Sequence, residues 1–187
     1  MRVVAGTARG RPLRAPAGRD TRPTSDRVRE AMFSMLTSMD ALEGVDVLDL
    51  FAGSGALGIE ALSRGAARVT FVDQDRAAVA AVRANLEVVG EASSRAEVVL
   101  GDAVRFAVVA PQVDLTLADP PYRFDGWGPL LAALEGRTGL LVAETGAEWE
   151  PGPGWETVKV KRYGGTVVTV AQPTARPKPL LRQEGET

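Results

Sequence analysis

Asp119-Pro120-Pro121-Tyr122 brings together a carboxylate, a carbonyl with no competing N–H beside it, and an aromatic face. This combination suits the presentation of an aromatic amine. A base amino nitrogen is a poor nucleophile, because its lone pair is delocalised into the ring. Acceptors on its two hydrogens help it pyramidalise and fix its line of attack. The Asp119 carboxylate and the Pro120 carbonyl are the candidate acceptors, and Tyr122 offers a flat surface on which an extruded base can stack. Successive prolines restrict φ and hold the carbonyl outward. Asp119 or water would take up the released proton. Standing alone, the four residues would equally describe an ordinary proline turn.

A second constellation precedes it. Asp49-Leu50-Phe51-Ala52-Gly53-Ser54-Gly55-Ala56-Leu57-Gly58 lies where a strand turns sharply into a helix, the position at which open α/β sheets bind ligands. Glycines allow close approach of a ligand to the backbone, and the N–H groups that open a helix favour an anion. Asp73 ends the next strand, 20 positions beyond Gly53, where its carboxylate can accept from both hydroxyls of a ribose. Gly53, Gly55 and Gly58 also satisfy G-x-G-x-x-G, so the loop by itself fits a nicotinamide or flavin nucleotide as well. Gly101-Asp102-Ala103 adds a carboxylate for an adenine amino group and a backbone N–H for a ring nitrogen, with helix capping as the competing role of Asp102.

Composition narrows the chemistry. The chain has no histidine and no cysteine, which excludes Ser-His-Asp and Cys-His machinery, disulfides, and imidazole- or thiolate-ligated metals. Reaction chemistry must then rest on carboxylates, carbonyls, tyrosine or a cofactor. S-adenosyl-L-methionine satisfies that restriction: its sulfonium becomes a neutral thioether, S-adenosyl-L-homocysteine, and the displacement needs neither metal nor histidine. No metal is expected.

These groups need a scaffold to position them. From Val45 onward β-rich runs alternate with helical patterns, the signature of βαβ units and a parallel sheet. Strands are expected at 45–48, 69–72, 96–100, 113–117 and 140–143, and helices at 56–64, 75–89, within 103–109 and at 127–134. A final pair, 156–160 and 166–170, reads as an antiparallel hairpin around Arg162-Tyr163-Gly164. Ahead of the sheet, Thr24 is the expected N-cap of a helix whose Val28, Met32, Met35, Leu36 and Met39 share one face. Residues 1–5 and 11–15 read as two short strands of a hairpin. The 187 residues with 45% hydrophobic content suit one core, with 1–22 as a basic hairpin extension, 23–172 as the α/β domain and 173–187 as a disordered tail. No apolar run approaches the ~20 residues that span a bilayer, and no signal-type apolar segment follows Met1, so a soluble, cytoplasmic chain without membrane contact is expected.

The net charge of −2 conceals an asymmetry. Residues 1–30 hold eight arginines against three carboxylates, so a basic arm precedes an acidic body. Glycines and prolines divide the arginines into an ordered hairpin, and guanidinium groups bind phosphate in a bidentate manner. Arg9, Arg11 and Arg14 are therefore candidate phosphate contacts.

Taken together, Arg22-Pro23-Thr24 with Arg27, Arg29 and Phe33, the glycine loop, Phe71-Val72-Asp73, Gly101-Asp102-Ala103 and Asp119-Pro120-Pro121-Tyr122 resemble the bacterial RsmD family of small-subunit ribosomal RNA guanine-2-amino methyltransferases. The resemblance covers roughly residues 1–171. It implies a Rossmann-like class I methyltransferase fold with a mostly parallel seven-stranded sheet. It also implies methylation of one guanine amino group in the rRNA of an assembled 30S particle. Asp49, Phe51, Gly53, Gly55, Asp73, Asp102 and Ala103 would line the cofactor, and Asp119, Pro120 and Tyr122 would hold the guanine. Arg22 and Thr24 would lie near the RNA entrance. Asp-Pro-Pro-Tyr also serves adenine-amino DNA methyltransferases, but no target-recognition domain is expected within these 187 residues. The competing functions are a nucleotide-dependent oxidoreductase and a catalytically silent RNA-binding module. A monomer is expected, because no interface stripe is left over.

Overall fold

Among the described residues seven strands form one mixed sheet in the order β3-β2-β1-β4-β5-β7-β6. The computed structural model describes residues 1–16 and 25–175. The strands are β1 (Asp46–Leu50), β2 (Arg68–Asp73), β3 (Ala96–Leu100), β4 (Val113–Ala118), β5 (Thr138–Thr145), β6 (Trp155–Tyr163) and β7 (Thr166–Pro173). The helices are α1 (Asp26–Ser38), α2 (Ala56–Ser63), α3 (Arg76–Val89), α4 (Ala103–Val109) and α5 (Trp127–Leu134), with a 3-10 turn at Gly90–Arg95. The first five strands run parallel, while β7 pairs antiparallel with both β5 and β6.

Alternate residues of the central strands feed two cores. Val47, Val69, Phe71, Leu115 and Leu117 pack with buried residues of α1, α2 and α3. On the opposite face, Leu48, Leu50, Val72, Val113 and Ala118 pack with Ala103 and Ala107 of α4 and Leu130, Leu131 and Leu134 of α5. Burial on both faces explains why these strands read as near-continuous apolar runs rather than as alternating ones.

The segment before the sheet differs from expectation in two respects. Among the described residues of this segment one bridge, Arg2 with Pro12, has strand character, and backbone bonds join Val3 to Gly10 and Arg11, and Leu13 to Met1. The body adds further partners to these cross-strand bonds. The Glu60 carboxylate accepts from the Val4 and Ala5 N–H groups at 2.8 and 2.9 Å. Ser63 accepts from the Ala8 N–H through its hydroxyl and from the Thr7 N–H through its carbonyl. At Gly6 a Cβ would lie 1.8 Å from the Ser63 carbonyl oxygen, so only glycine permits this approach. Secondly, Ser25 rather than Thr24 caps α1, its hydroxyl accepting from the Val28 N–H. Thr24 and Arg22 lie outside the described residues.

The expected boundary of the tail also shifts. Pro173 closes β7 opposite Trp155, and the Thr174 N–H donates to Gly154 O. A proline is tolerated there because β7 is ending, past its pairing with β5 at Ala171, and no further ladder donor is required of it. The rest of the expected tail, from residue 176, lies outside the described residues. Among the described residues no helix is long and apolar enough to cross a membrane.

Glu60 is fully buried and also meets Arg64 Nε at 2.8 Å and Arg29 Nε at 3.5 Å, Arg29 being fully buried as well. Truncating one member of such a group leaves buried charge uncompensated. Glu60→Ala is expected to destabilise the fold by about 3–5 kcal/mol, read as a lower midpoint in urea unfolding, and to open residues 1–16 to proteolysis under native conditions.

Candidate active site

The strand order reverses at β1. The chain runs outward through β2 and β3, then returns to lay β4 on the other side of β1. The loops leaving β1 and β4 therefore diverge and open a crevice at the carboxyl edge. Register places the expected groups there at one level. Leu50 pairs with both Val72 and Ala118, so Phe51, Asp73 and Asp119 each stand one residue further along adjacent strands. Leu100, before Gly101-Asp102, pairs with Asp73.

The glycine loop is shaped by two carboxylates. Asp49 is almost wholly buried and accepts from the Gly58 N–H at 2.9 Å, tying the strand to α2. Asp73 accepts from the Gly53 N–H through one oxygen and from the Asp75 N–H through the other, both at 2.9 Å. Phe51, with φ 60°, takes a left-handed conformation unusual for a bulky residue, a form of local strain found at ligand clamps. Gly58 serves packing: a Cβ there would stand 2.3 Å from the Phe71 ring. Above Gly53 the surface is open, since a Cβ would meet only the Phe51 carbonyl oxygen at 3.8 Å.

Asp102 caps α4 by accepting from the Arg105 N–H at 2.9 Å. Its side chain is exposed and a carboxylate has about four acceptor positions, so capping leaves capacity for a ligand. Ala103, next in the chain, is buried. Pro120 is buried and Asp119 partly so, whereas Tyr122 is 69% exposed. The Tyr122 ring lies over Gly146, where a Cβ would approach it to 3.0 Å. Asp119 stands close enough to Asp49 for its charge to act on that group's ionisation.

A family model described as Conserved hypothetical protein 95 matches residues 1–172. The chain belongs to the RsmD family. It is 40% identical to the Bacillus subtilis protein YlbH over 80% of this chain and 85% of that one. It is 38% identical to ribosomal RNA small subunit methyltransferase D of Haemophilus influenzae, covering 67% of this chain and 65% of that protein's length. The solved structure of Escherichia coli yhhF superposes with a TM-score of 0.81 at 32% identity, covering 95% of this chain and 99% of that one. The fold is the Rossmann-like class I methyltransferase fold.

Trp149 and Asn85 of this RsmD-family site were not singled out from sequence, and Phe124 and Trp127 fit a core or helix-cap role there as readily as a wall of the base pocket. Phe124 stacks edge-on against Phe51 at 4.9 Å, Trp127 against Phe124 at 5.4 Å, and Trp149 lies 4.3 Å from Trp127. This row links the glycine loop, the loop after β4 and the loop after β5. The sequence showed the aromatics but not that three loops far apart in the chain would meet. Asn85, fully buried on α3, was legible as one polar residue within an otherwise apolar face. Arg9, Arg11 and Arg14 are exposed on the hairpin while Val3, Ala8 and Leu13 face inward. A concavity of about 220 Å³ lined by Arg76, Val79, Ala80, Arg83 and Leu100 contains none of the motif residues.

Burial pushes the Asp49 carboxyl well above the usual carboxylate range. The Gly58 bond opposes this, and the charges of Asp119 and Asp73 add to it. The folded state thus holds this proton more tightly than the unfolded chain, so the contribution to stability is full below about pH 3.9 and is lost as pH rises through the folded value. Asp49→Asn, which keeps an acceptor for Gly58, removes that loss. The variant's melting temperature is expected to gain on the wild type as pH rises from 4 to 9, each kcal/mol being about 2–4 °C for a chain of this size. Thermal melts across that range check it; a constant difference would contradict it.

Proposed function

We propose that this chain is an S-adenosylmethionine-dependent methyltransferase acting on the exocyclic 2-amino group of a guanine in small-subunit ribosomal RNA, within an assembled 30S particle. The observation that carries this reading is the placement of Asp119-Pro120 beside the glycine loop at the point where strand order reverses. Relatives named ribosomal RNA small subunit methyltransferase D support the choice of substrate.

The residues present fit such a cofactor. Asp73 retains acceptor positions for ribose hydroxyls, Asp102 and Ala103 stand at the next strand end for an adenine, and the surface over Gly53 is open. Asp49, Phe51 and Gly55 complete the lining. S-adenosylmethionine supplies a methyl group on a positively charged sulfur, with S-adenosylhomocysteine as product and no metal in the reading. The charges of Asp119 and Asp73, which act on buried Asp49, bring negative potential to the part of the crevice where a cation would sit.

Asp119 and Pro120 act on the nucleophile. Their oxygens accept from the two amino hydrogens and hold the nitrogen lone pair toward the methyl group, while the exposed ring of Tyr122 stacks on the extruded guanine. Asp119 or water takes the proton. The arginines of the hairpin contact RNA phosphates, and Arg22 and Thr24 belong to the same reading by their position in the sequence. The protein acts as a cytoplasmic monomer.

Tritiated methyl transfer to small subunits, naked rRNA and DNA in parallel, followed by nucleoside analysis, tests substrate and atom together. Label in 2-methylguanosine from small subunits is expected; label only in adenine of DNA, or binding of NAD(P) with no affinity for S-adenosylhomocysteine, overturns the proposal. Asp119→Ala should lower transfer by at least 100-fold, in line with the loss of one pre-organised acceptor, and leave RNA association intact. Full activity would remove Asp119 from the mechanism. Neutralising Arg9, Arg11 and Arg14 together should weaken RNA binding and reduce the slope of log K against log salt by about 0.7–0.9 per lost phosphate contact. An unchanged slope would mean that these side chains only solvate the hairpin.

A further inference from the structure

The basic hairpin and the glycine loop share one buried side chain. The Asn85 carboxamide is fully buried within the apolar face of α3 and uses both ends. Its oxygen accepts from the Arg14 N–H at 2.9 Å, and its nitrogen donates to the Arg14 carbonyl at 2.9 Å and to the Ser54 carbonyl at 2.8 Å. One planar amide thus clamps the backbone of an arginine on the hairpin to the middle of Gly53-Ser54-Gly55. Two further contacts join the same parts. The Ser54 hydroxyl donates to the Met1 sulfur at 3.6 Å, and Val82, one turn before Asn85, backs Gly55 at 3.2 Å from where a Cβ would stand.

We propose that Asn85 is a positioning residue that couples the two binding events, so that RNA on the hairpin arginines and cofactor on the glycine loop each tighten the binding of the other. This rests on the function proposed above. The physical basis is shared ordering. Arg14 main chain and Ser54 carbonyl cannot both satisfy Asn85 unless hairpin and loop are in register, and a buried amide left with unmet donors is costly. A ligand that immobilises one partner therefore lowers the ordering cost left for the other. Linkage requires the effect to be reciprocal.

Calorimetric titration of S-adenosylhomocysteine into the full chain, with and without saturating small-subunit rRNA fragment, reads the coupling factor directly. The wild type should show at least a fivefold tightening with RNA, the lower end of ordinary coupling. Asn85→Asp keeps the acceptor for Arg14 N–H but loses both donations. In that variant the factor should fall toward one, while each ligand alone still binds, a pattern that uniform loss of structure does not produce. In the wild type, hydrogen exchange of the amides at 53–58 should slow when RNA is added without cofactor. An unchanged factor in folded Asn85→Asp, no coupling in the wild type, or no change in loop exchange overturns the inference. Should the variant not fold, the wild-type exchange measurement decides alone. A wild type that binds neither ligand refutes the methyltransferase reading instead.

Discussion

The hydrogen bond from the Gly58 N–H to the buried Asp49 carboxylate fixes how β1 turns into α2, and the crevice follows from that turn. A carboxylate at such depth is unfavourable in isolation. It persists because a backbone donor is brought to it, and the donor can approach because Gly58 has no Cβ to strike Phe71. Helix α2 is thereby held close over β1 and β2, leaving the short glycine loop to bridge strand and helix. Asp73 then draws the Gly53 N–H toward β2 from the neighbouring strand. Two acidic strand ends thus shape one loop.

The hairpin is attached by the same means. Glu60, Ser63 and Asn85 are polar side chains on otherwise apolar helix faces, and all three point their acceptors or donors at hairpin backbone. A short hairpin leaves backbone groups that its own pairing does not satisfy, and the body supplies the partners. Exposed arginines then stand on a base fixed by buried Val3 and Leu13. In the proposed function this places cations beside the crevice without long flexible reach.

The motifs and most elements were legible because they are local. Apolar runs bounded by turn residues marked the central strands, and strand-to-helix boundaries followed from Gly55, Asp75 and Asp102, the last two of which cap their helices through side-chain acceptors. The hairpin strands were less so, because several of their backbone groups bond to residues more than 50 positions away instead of to each other. The cap of α1 was displaced by one residue, since adjacent Thr24 and Ser25 offer the same hydroxyl chemistry and only backbone geometry selects between them. Pro173 reads as the start of the tail because prolines and charges without apolar periodicity set in there, yet the missing ladder donor of a proline does not matter at the last position of β7.

Sequence by itself determined the chemical inventory: no histidine or cysteine, a glycine loop with acidic residues at successive strand ends, and a carboxylate followed by two prolines and a tyrosine. It also determined the alternation that builds the sheet. Tertiary structure decided which of these groups meet. Strand reversal at β1 sets Asp119 beside Asp49, the aromatic row joins three loops, and Asn85 ties Arg14 to Ser54. The physical reason is that periodicity and capping are properties of neighbouring residues, whereas burial of a polar group is stable only once distant parts of the chain arrive to satisfy it.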